Sequence, residues 1–172
     1  TLPVTQVDDE NLSFFKAIGV DYVTVWLMPD FWEAGDRTED CRDIRRKIEA
    51  HGLTWYNVAT RVPREIIVGQ PGRDDKLAVW IRMLRTLGEV GVPTVGYDFM
   101  ARLYRTTSTP DGRGGATYST FDYDELLQDP GHRLDVEASE DQMWDNQRVL
   151  LEASLPVAEE AGVRMALHPD DP

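Results

Sequence analysis

A short local grammar recurs four times along the chain: a helix-like segment ends in glycine, an apolar residue follows, and a strand-like run begins. The instances are Ala17-Ile18-Gly19-Val20, Ala50-His51-Gly52-Leu53, Glu89-Val90-Gly91-Val92 and Ala161-Gly162-Val163. Glycine suits that place because helices commonly end in a left-handed residue, where a Cβ is costly. Before the glycines, apolar residues fall on one helical face: Leu12, Phe15 and Ile18; Cys41, Ile44 and Ile48; Leu77, Trp80, Ile81, Leu84 and Leu87. Thr38 is the expected N-cap of the second helix, with acids early and Arg45, Arg46 and Lys47 late, the order the helix dipole favours. Ser139 with Gln142 forms a capping-box pattern for the last helix, and Pro156 inside it predicts a kink or restart.

After the glycines come Tyr22–Leu27, Leu53–Val58, Thr94–Tyr97 and Val163–Leu167. They are short, rich in β-branched and aromatic residues, and mostly not cleanly alternating, as for parallel strands covered on both faces. Helix alternating with strand means an α/β fold. A first strand is expected either over Pro3–Val7 or before Thr1. The glycines stand at 19, 52, 91 and 162, so the intervals are 33, 39 and 71 residues. One βα unit takes roughly 30 residues. The last interval is therefore too long, and the turn-rich stretch 99–137, with Thr109-Pro110-Asp111-Gly112 and Gly114-Gly115, reads as an insertion rather than a hidden strand. In parallel α/β folds such strand-to-helix segments gather at the carboxyl ends of the strands, the face that carries function.

Composition narrows the classes. Eighteen Lys and Arg face 31 Asp and Glu, a net charge of −13, so neither a nucleic-acid backbone nor an anionic membrane is an expected partner. No apolar run reaches the about 18 residues a membrane helix needs. The single cysteine, Cys41, excludes an internal disulfide and makes the cytoplasm the default location; on its apolar helical face it reads as a small core residue.

The residues at the strand ends are Trp26 and Met28, Asn57, Tyr97 and Asp98, and His168-Pro169-Asp170-Asp171-Pro172. An imidazole beside carboxylates can ligate a first-row metal. On spacing alone, a capped strand end with the imidazole hydrogen-bonded and the aspartates in a turn is the commoner form of this pattern. In the insertion Arg102, Arg105 and Arg113 stand against one acid, Asp111, between residues 99 and 120. That local positive charge suits a carboxylate or phosphate, or equally pairs with Asp122, Asp124 or Glu125. His51 ends a helix, His132 has no evident partner, and the five tryptophans read mainly as packing, with Trp26 and Trp32 near the functional face.

Two stretches carry a family resemblance. Pro156–Val163 followed by Met165-Ala166-Leu167-His168-Pro169-Asp170-Asp171-Pro172 closely resembles the middle of mannonate dehydratases. Gly96-Tyr97-Asp98-Phe99-Met100, with Tyr104-Arg105-Thr106 and Asp111-Gly112, resembles their strand-end segment and insertion. The resemblance implies a TIM barrel of the xylose-isomerase-like group that uses a divalent metal, usually Mn2+, with Fe2+ an alternative, to dehydrate D-mannonate to 2-dehydro-3-deoxy-D-gluconate. On it, His168 falls at a metal ligand, Arg105 and Thr106 at the family's arginine-threonine pair and Tyr97 at its tyrosine; Tyr97 and Arg105 are the expected catalytic residues, and Trp26, Asp98, Arg105, Thr106 and Asp170 the expected substrate-binding ones. The family commonly has Cys-Tyr-Asn where this chain has Gly96-Tyr97-Asp98, and Pro-Val where it has Ala101-Arg102.

A complete barrel takes about 200 residues or more. Residues 1–172 are therefore expected to form the amino-terminal portion of one parallel (β/α) barrel domain, four to five strands of eight, with the remaining metal ligands beyond Pro172. The expected partners are a small sugar acid and further copies of the complete protein. A sugar isomerase or epimerase on the same barrel, and a non-catalytic half-barrel module, are the competing readings.

Overall fold

Each marker glycine follows the end of a helix, and all four have positive φ: 86° at Gly19, 68° at Gly52, 79° at Gly91 and 67° at Gly162. At Gly91 the turn is tight enough that Val92 N–H reaches back to the Leu87 carbonyl at 2.8 Å, which aims the chain straight into the next strand. The computed structural model describes residues 1–4, 6–101, 106–128 and 138–169.

Five strands form one sheet in the order β1 (Leu2–Val4), β2 (Tyr22–Trp26), β3 (Thr54–Arg61), β4 (Thr94–Asp98) and β5 (Arg164–His168), every neighbouring pair parallel. The crossovers are α1 (Asp9–Ala17), α3 (Thr38–Ala50), α5 (Arg73–Val90) and α7 (Glu140–Ala161). Right-handed crossovers between strands that never reverse their order place all these helices on one face of the sheet. That is barrel winding; a doubly wound sheet reverses at a switch point. The sheet does not close, and β1 and β5 are its edges.

The core lies between the sheet and the helices. Val23, Val25, Val58 and Val95 from the strands meet Cys41, Ile48, Trp80, Leu84, Leu87 and Leu150 from the helices, all buried. In α7 the buried residues Asn146, Leu150, Ser154 and Ala158 recur every fourth position, one narrow stripe facing α5 and α4. Asn146 Nδ2 donates to the Ile67 carbonyl at 3.0 Å and ties α7 to α4 (Arg64–Ile67). Among the described residues no helix is long and apolar enough to cross a membrane.

Several local expectations are revised. β1 is Leu2–Val4 rather than Pro3–Val7, and Thr5 lies outside the described residues. Thr38 is the first residue of α3, not its cap; Asp36 accepts from the Thr38 amide at 2.9 Å and the Thr38 hydroxyl at 2.7 Å, and these bonds hold the Asp36 carboxyl below its ordinary pKa. Ser139 and Gln142 do form the capping box of α7. Pro156 does not restart that helix. The carbonyl it leaves without a donor, on Glu152, is on an exposed residue and open to water.

Short helices α2 (Pro29–Glu33), α4 and α6 (Tyr123–Gln128) decorate the carboxyl end of the sheet and were not anticipated. Between β4 and α7 no further strand joins the sheet among the described residues. Instead the bridges Ser108 to Thr120 and Asp111 to Thr117 close a small antiparallel hairpin around a 3-10 turn at Arg113–Gly115.

Candidate functional site

Side chains on a strand alternate between faces, so the register sorts them. Val25, Val58, Val95 and Met165 share one row and face the helices; Thr60, Tyr97 and Leu167 share that parity. The opposite face carries Trp26, Ala59, Gly96 and Ala166 in one row and Arg61, Asp98 and His168 in the next, at the carboxyl ends. A register shift between Val23 and Thr24 against Trp55 and Asn57 keeps both Trp55 and Val58 on the helix side, although they are three apart.

The two rows bound a groove of about 370 Å³ lined by Trp26, Asn57, Arg61, Asp98, Met100 and His168, with Ala59 and Gly96 at its floor. The floor residues are small, and that leaves the room. Trp26 is 45% exposed and offers an aromatic wall. Arg61 Nε stands 3.1 Å from Asp98 Oδ2 across the β3–β4 register. Asn57 Nδ2 donates to Thr24 Oγ1 at 3.3 Å, while its buried Oδ1 has no partner among the described residues.

His168 closes the row. Its Nδ1 is 2.7 Å from the Pro169 carbonyl oxygen. A carbonyl can only accept, so Nδ1 donates and the lone pair is left on Nε2, the arrangement a metal-ligating imidazole adopts. His168 therefore fits as one donor of a metal site. Among the described residues no three of His, Cys, Asp and Glu converge on a common point, so the chain's described part does not supply a full ligand set.

Of the expected site residues, the structure brings Trp26, Asp98 and His168 together in the groove. Tyr97 borders it, but the residue is only 4% exposed and its ring packs edge-to-face on Trp80 of α5, 5.7 Å between centroids. Burial pushes its phenol above the usual tyrosine pKa. Thr106 is exposed at the foot of the hairpin and does not line the groove. Arg105 and Asp170 lie outside the described residues, as do Arg102, Tyr104, His132, Asp171 and Pro172. Cys41 is fully buried in α3, and His51 is held at the end of α3 by the Lys47 carbonyl at 2.9 Å; neither is near the groove.

Arg61 is the groove residue that sequence reasoning missed. Its strand was expected to end at Val58, and β3 runs three residues further. A second depression of about 380 Å³ shares Arg61, Asp98 and Met100 with the groove and extends to Lys76. The Lys76 ammonium is already held by Glu33 at 2.7 Å.

The sequence profile of the family described as D-mannonate dehydratase (UxuA) matches residues 27–172. The chain belongs to that family. Mannonate dehydratase 2 of Halalkalibacterium halodurans is 32% identical over 155 residues, which is 75% of this chain and 45% of that protein. The mannonate dehydratase of Streptococcus equi subsp. zooepidemicus is 30% identical over 161 residues, 78% of this chain and 44% of the relative. The crystal structure of mannonate dehydratase from Streptococcus suis serotype 2 superposes with a TM-score of 0.81 at 26% identity, covering 99% of this chain and 53% of that one. The chain thus spans about half the length of the mannonate dehydratases it matches. A 3-keto-D-glucoside 4-epimerase from E. coli shares the fold, with a TM-score of 0.60 at 16% identity over 98% of this chain and 54% of the epimerase. The fold is accordingly the α/β, parallel TIM-barrel type of the mannonate dehydratases, seen here as an unclosed five-stranded sheet.

Proposed function

We propose that residues 1–172 are the amino-terminal portion of a single barrel domain, with the active-face insertion at about 99–137, in an enzyme that dehydrates D-mannonate to 2-dehydro-3-deoxy-D-gluconate. The observation that supports this most is the conjunction of the family match with His168 at the end of β5, its Nε2 free to bind beside Asp98 and Trp26. In the reaction the proton on C2 is abstracted and the C3 hydroxyl departs as water. The enol so formed rearranges to the 2-keto acid, so one water is lost and no redox partner is needed.

A divalent cation, Mn2+ or Fe2+, would polarise the substrate's carboxylate and hydroxyl and make the C2 proton acidic. His168 would hold it through Nε2. Trp26 packs on the sugar's C–H face, and Asp98 sits at the groove's rim within reach of substrate hydroxyls. Arg105, Thr106 and Asp170 are assigned to substrate by their match to the family motif. The base and the other cation ligands belong to the rest of the barrel. A cytoplasmic setting fits the single buried thiol of Cys41. Further copies of the complete protein are the proposed assembly partners.

The test is turnover. The complete protein, loaded with Mn2+, is expected to convert D-mannonate to a 2-keto-3-deoxy acid detected by periodate–thiobarbiturate assay, with loss on chelation and recovery on adding metal back. Absence of conversion with every divalent cation tried would contradict the proposal.

A further inference from the structure

We propose that Arg61 binds the carboxylate of the substrate, and that Asp98 is its positioning residue; this rests on the sugar-acid reading above. The groove belongs to a chain of net charge −13, so an anionic ligand there needs a cation to offset that overall field. Among the described residues that line the groove, Arg61 is the one permanent cation. Its neighbour in the adjoining depression, Lys76, has its charge matched by Glu33 at 2.7 Å and Glu65 at 3.8 Å.

The guanidinium is aimed by its inner edge. Nε is buried, lies 3.1 Å from Asp98 Oδ2 and makes no aligned hydrogen bond. The two terminal nitrogens have no hydrogen bond to any described residue. Asp98 therefore occupies one edge of the fork and leaves the other, the pair of parallel N–H groups that matches a carboxylate, without a partner. Arg61 is also in the same register row as His168, one strand removed through Asp98. Parallel strands stand about 4.8 Å apart, so two strand spacings separate the backbones of Arg61 and His168 by about 10 Å. A six-carbon acid bound by its carboxylate at Arg61 thus reaches the His168 side of the groove with its adjacent carbons. The row below, Ala59, Gly96 and Ala166, carries no side chain large enough to obstruct it.

A structural ion pair between two strand ends would look similar, and the two roles separate experimentally. Arg61→Met, Arg61→Lys and Arg105→Met are made in the complete protein. Each is assayed for kcat and KM with D-mannonate and titrated calorimetrically with D-mannonate and with the uncharged polyol D-mannitol. Loss of a bidentate charge-assisted contact predicts that Arg61→Met weakens D-mannonate binding by about 30-fold or more, with Arg61→Lys intermediate and D-mannitol binding unchanged. Asp98→Asn is expected to raise KM for D-mannonate several-fold. The inference is overturned if Arg61→Met leaves D-mannonate binding within about twofold of the parent, if it weakens both ligands equally, or if Arg105→Met alone abolishes the preference for the acid. The titrations read the inference even if D-mannonate is bound without being turned over, in which case it is the dehydratase reading that fails.

Discussion

His168 stands opposite Asp98 in the register of β4 and β5, and the two side chains close one end of the groove while the chain neighbour of each, Tyr97 and Leu167, points to the other face. On β4 one step along the strand thus separates Asp98, at the groove, from Tyr97, whose ring packs on Trp80 of α5, while on β5 Leu167 is exposed.

Tyr97 gives the first prediction. Its ring is buried against Trp80, so its main work is packing. Tyr97→Phe keeps that packing and is expected to change kcat by less than about threefold, whereas Tyr97→Ala should destabilise the fold by about 3–5 kcal/mol in urea unfolding. A loss of kcat of a hundredfold or more in Tyr97→Phe with unchanged stability would show instead that the hydroxyl takes part in proton transfer.

At Gly88 α5 packs directly against the end of α7. A Cβ built there would lie 2.5 Å from the Ala161 carbonyl oxygen, which is backbone and cannot swing aside. Alanine normally stabilises a helix interior over glycine by about 1 kcal/mol. Here the clash outweighs that gain, and Gly88→Ala is expected to lower stability by about 1–3 kcal/mol. A rise in the midpoint of thermal unfolding would show that the two helices part more easily than this packing implies.

Burial pushes the Cys41 thiol up from 9.0 to about 12, with the nearby Asp40 carboxylate adding to the effect. Because the folded thiol keeps its proton where the unfolded one loses it, this contribution is fully present below pH 9 and falls away as the pH rises from 9 toward 12. Urea unfolding across that range should show declining stability, and the decline should be shallower in Cys41→Ala measured against its own value at pH 8. In the native protein at pH 8 a thiol reagent is expected to react only at the rate of unfolding. Rapid native-state labelling would contradict the burial.

The fold was legible because four glycines marked the same helix-to-strand turn and the cores of α3 and α5 centre on stripes of helical spacing, Cys41 and Ile48 in one and Trp80, Leu84 and Leu87 in the other. The site was less so. Val95 is buried toward the helices, and parity alone places Tyr97 beside it, but Gly96 has no side chain to betray the alternation. Arg61 was missed because Ala59 breaks the run of strand-favouring residues after Val58, and β3 is carried on to Arg61 by pairing with β4. The shift at Trp55 and Asn57 flips the alternation mid-strand, which no pattern in the residues themselves reveals. His168 was readable from its motif; that its Nδ1 is bound to the next carbonyl, freeing Nε2, was not.

The central claim is that this Nε2 grips a divalent cation in a sugar-acid dehydratase. It is tested most directly by metal analysis of the complete protein and its His168→Ala variant after loading with Mn2+ and desalting, alongside turnover of D-mannonate. Exposed as it is, His168 should be removable at a stability cost under about 0.5 kcal/mol. The account predicts a parent with close to one Mn2+ per chain, and a folded variant with at least about tenfold weaker metal retention and turnover reduced by about two orders of magnitude. A His168→Ala variant that holds as much metal as the parent and dehydrates D-mannonate at the same rate would contradict it.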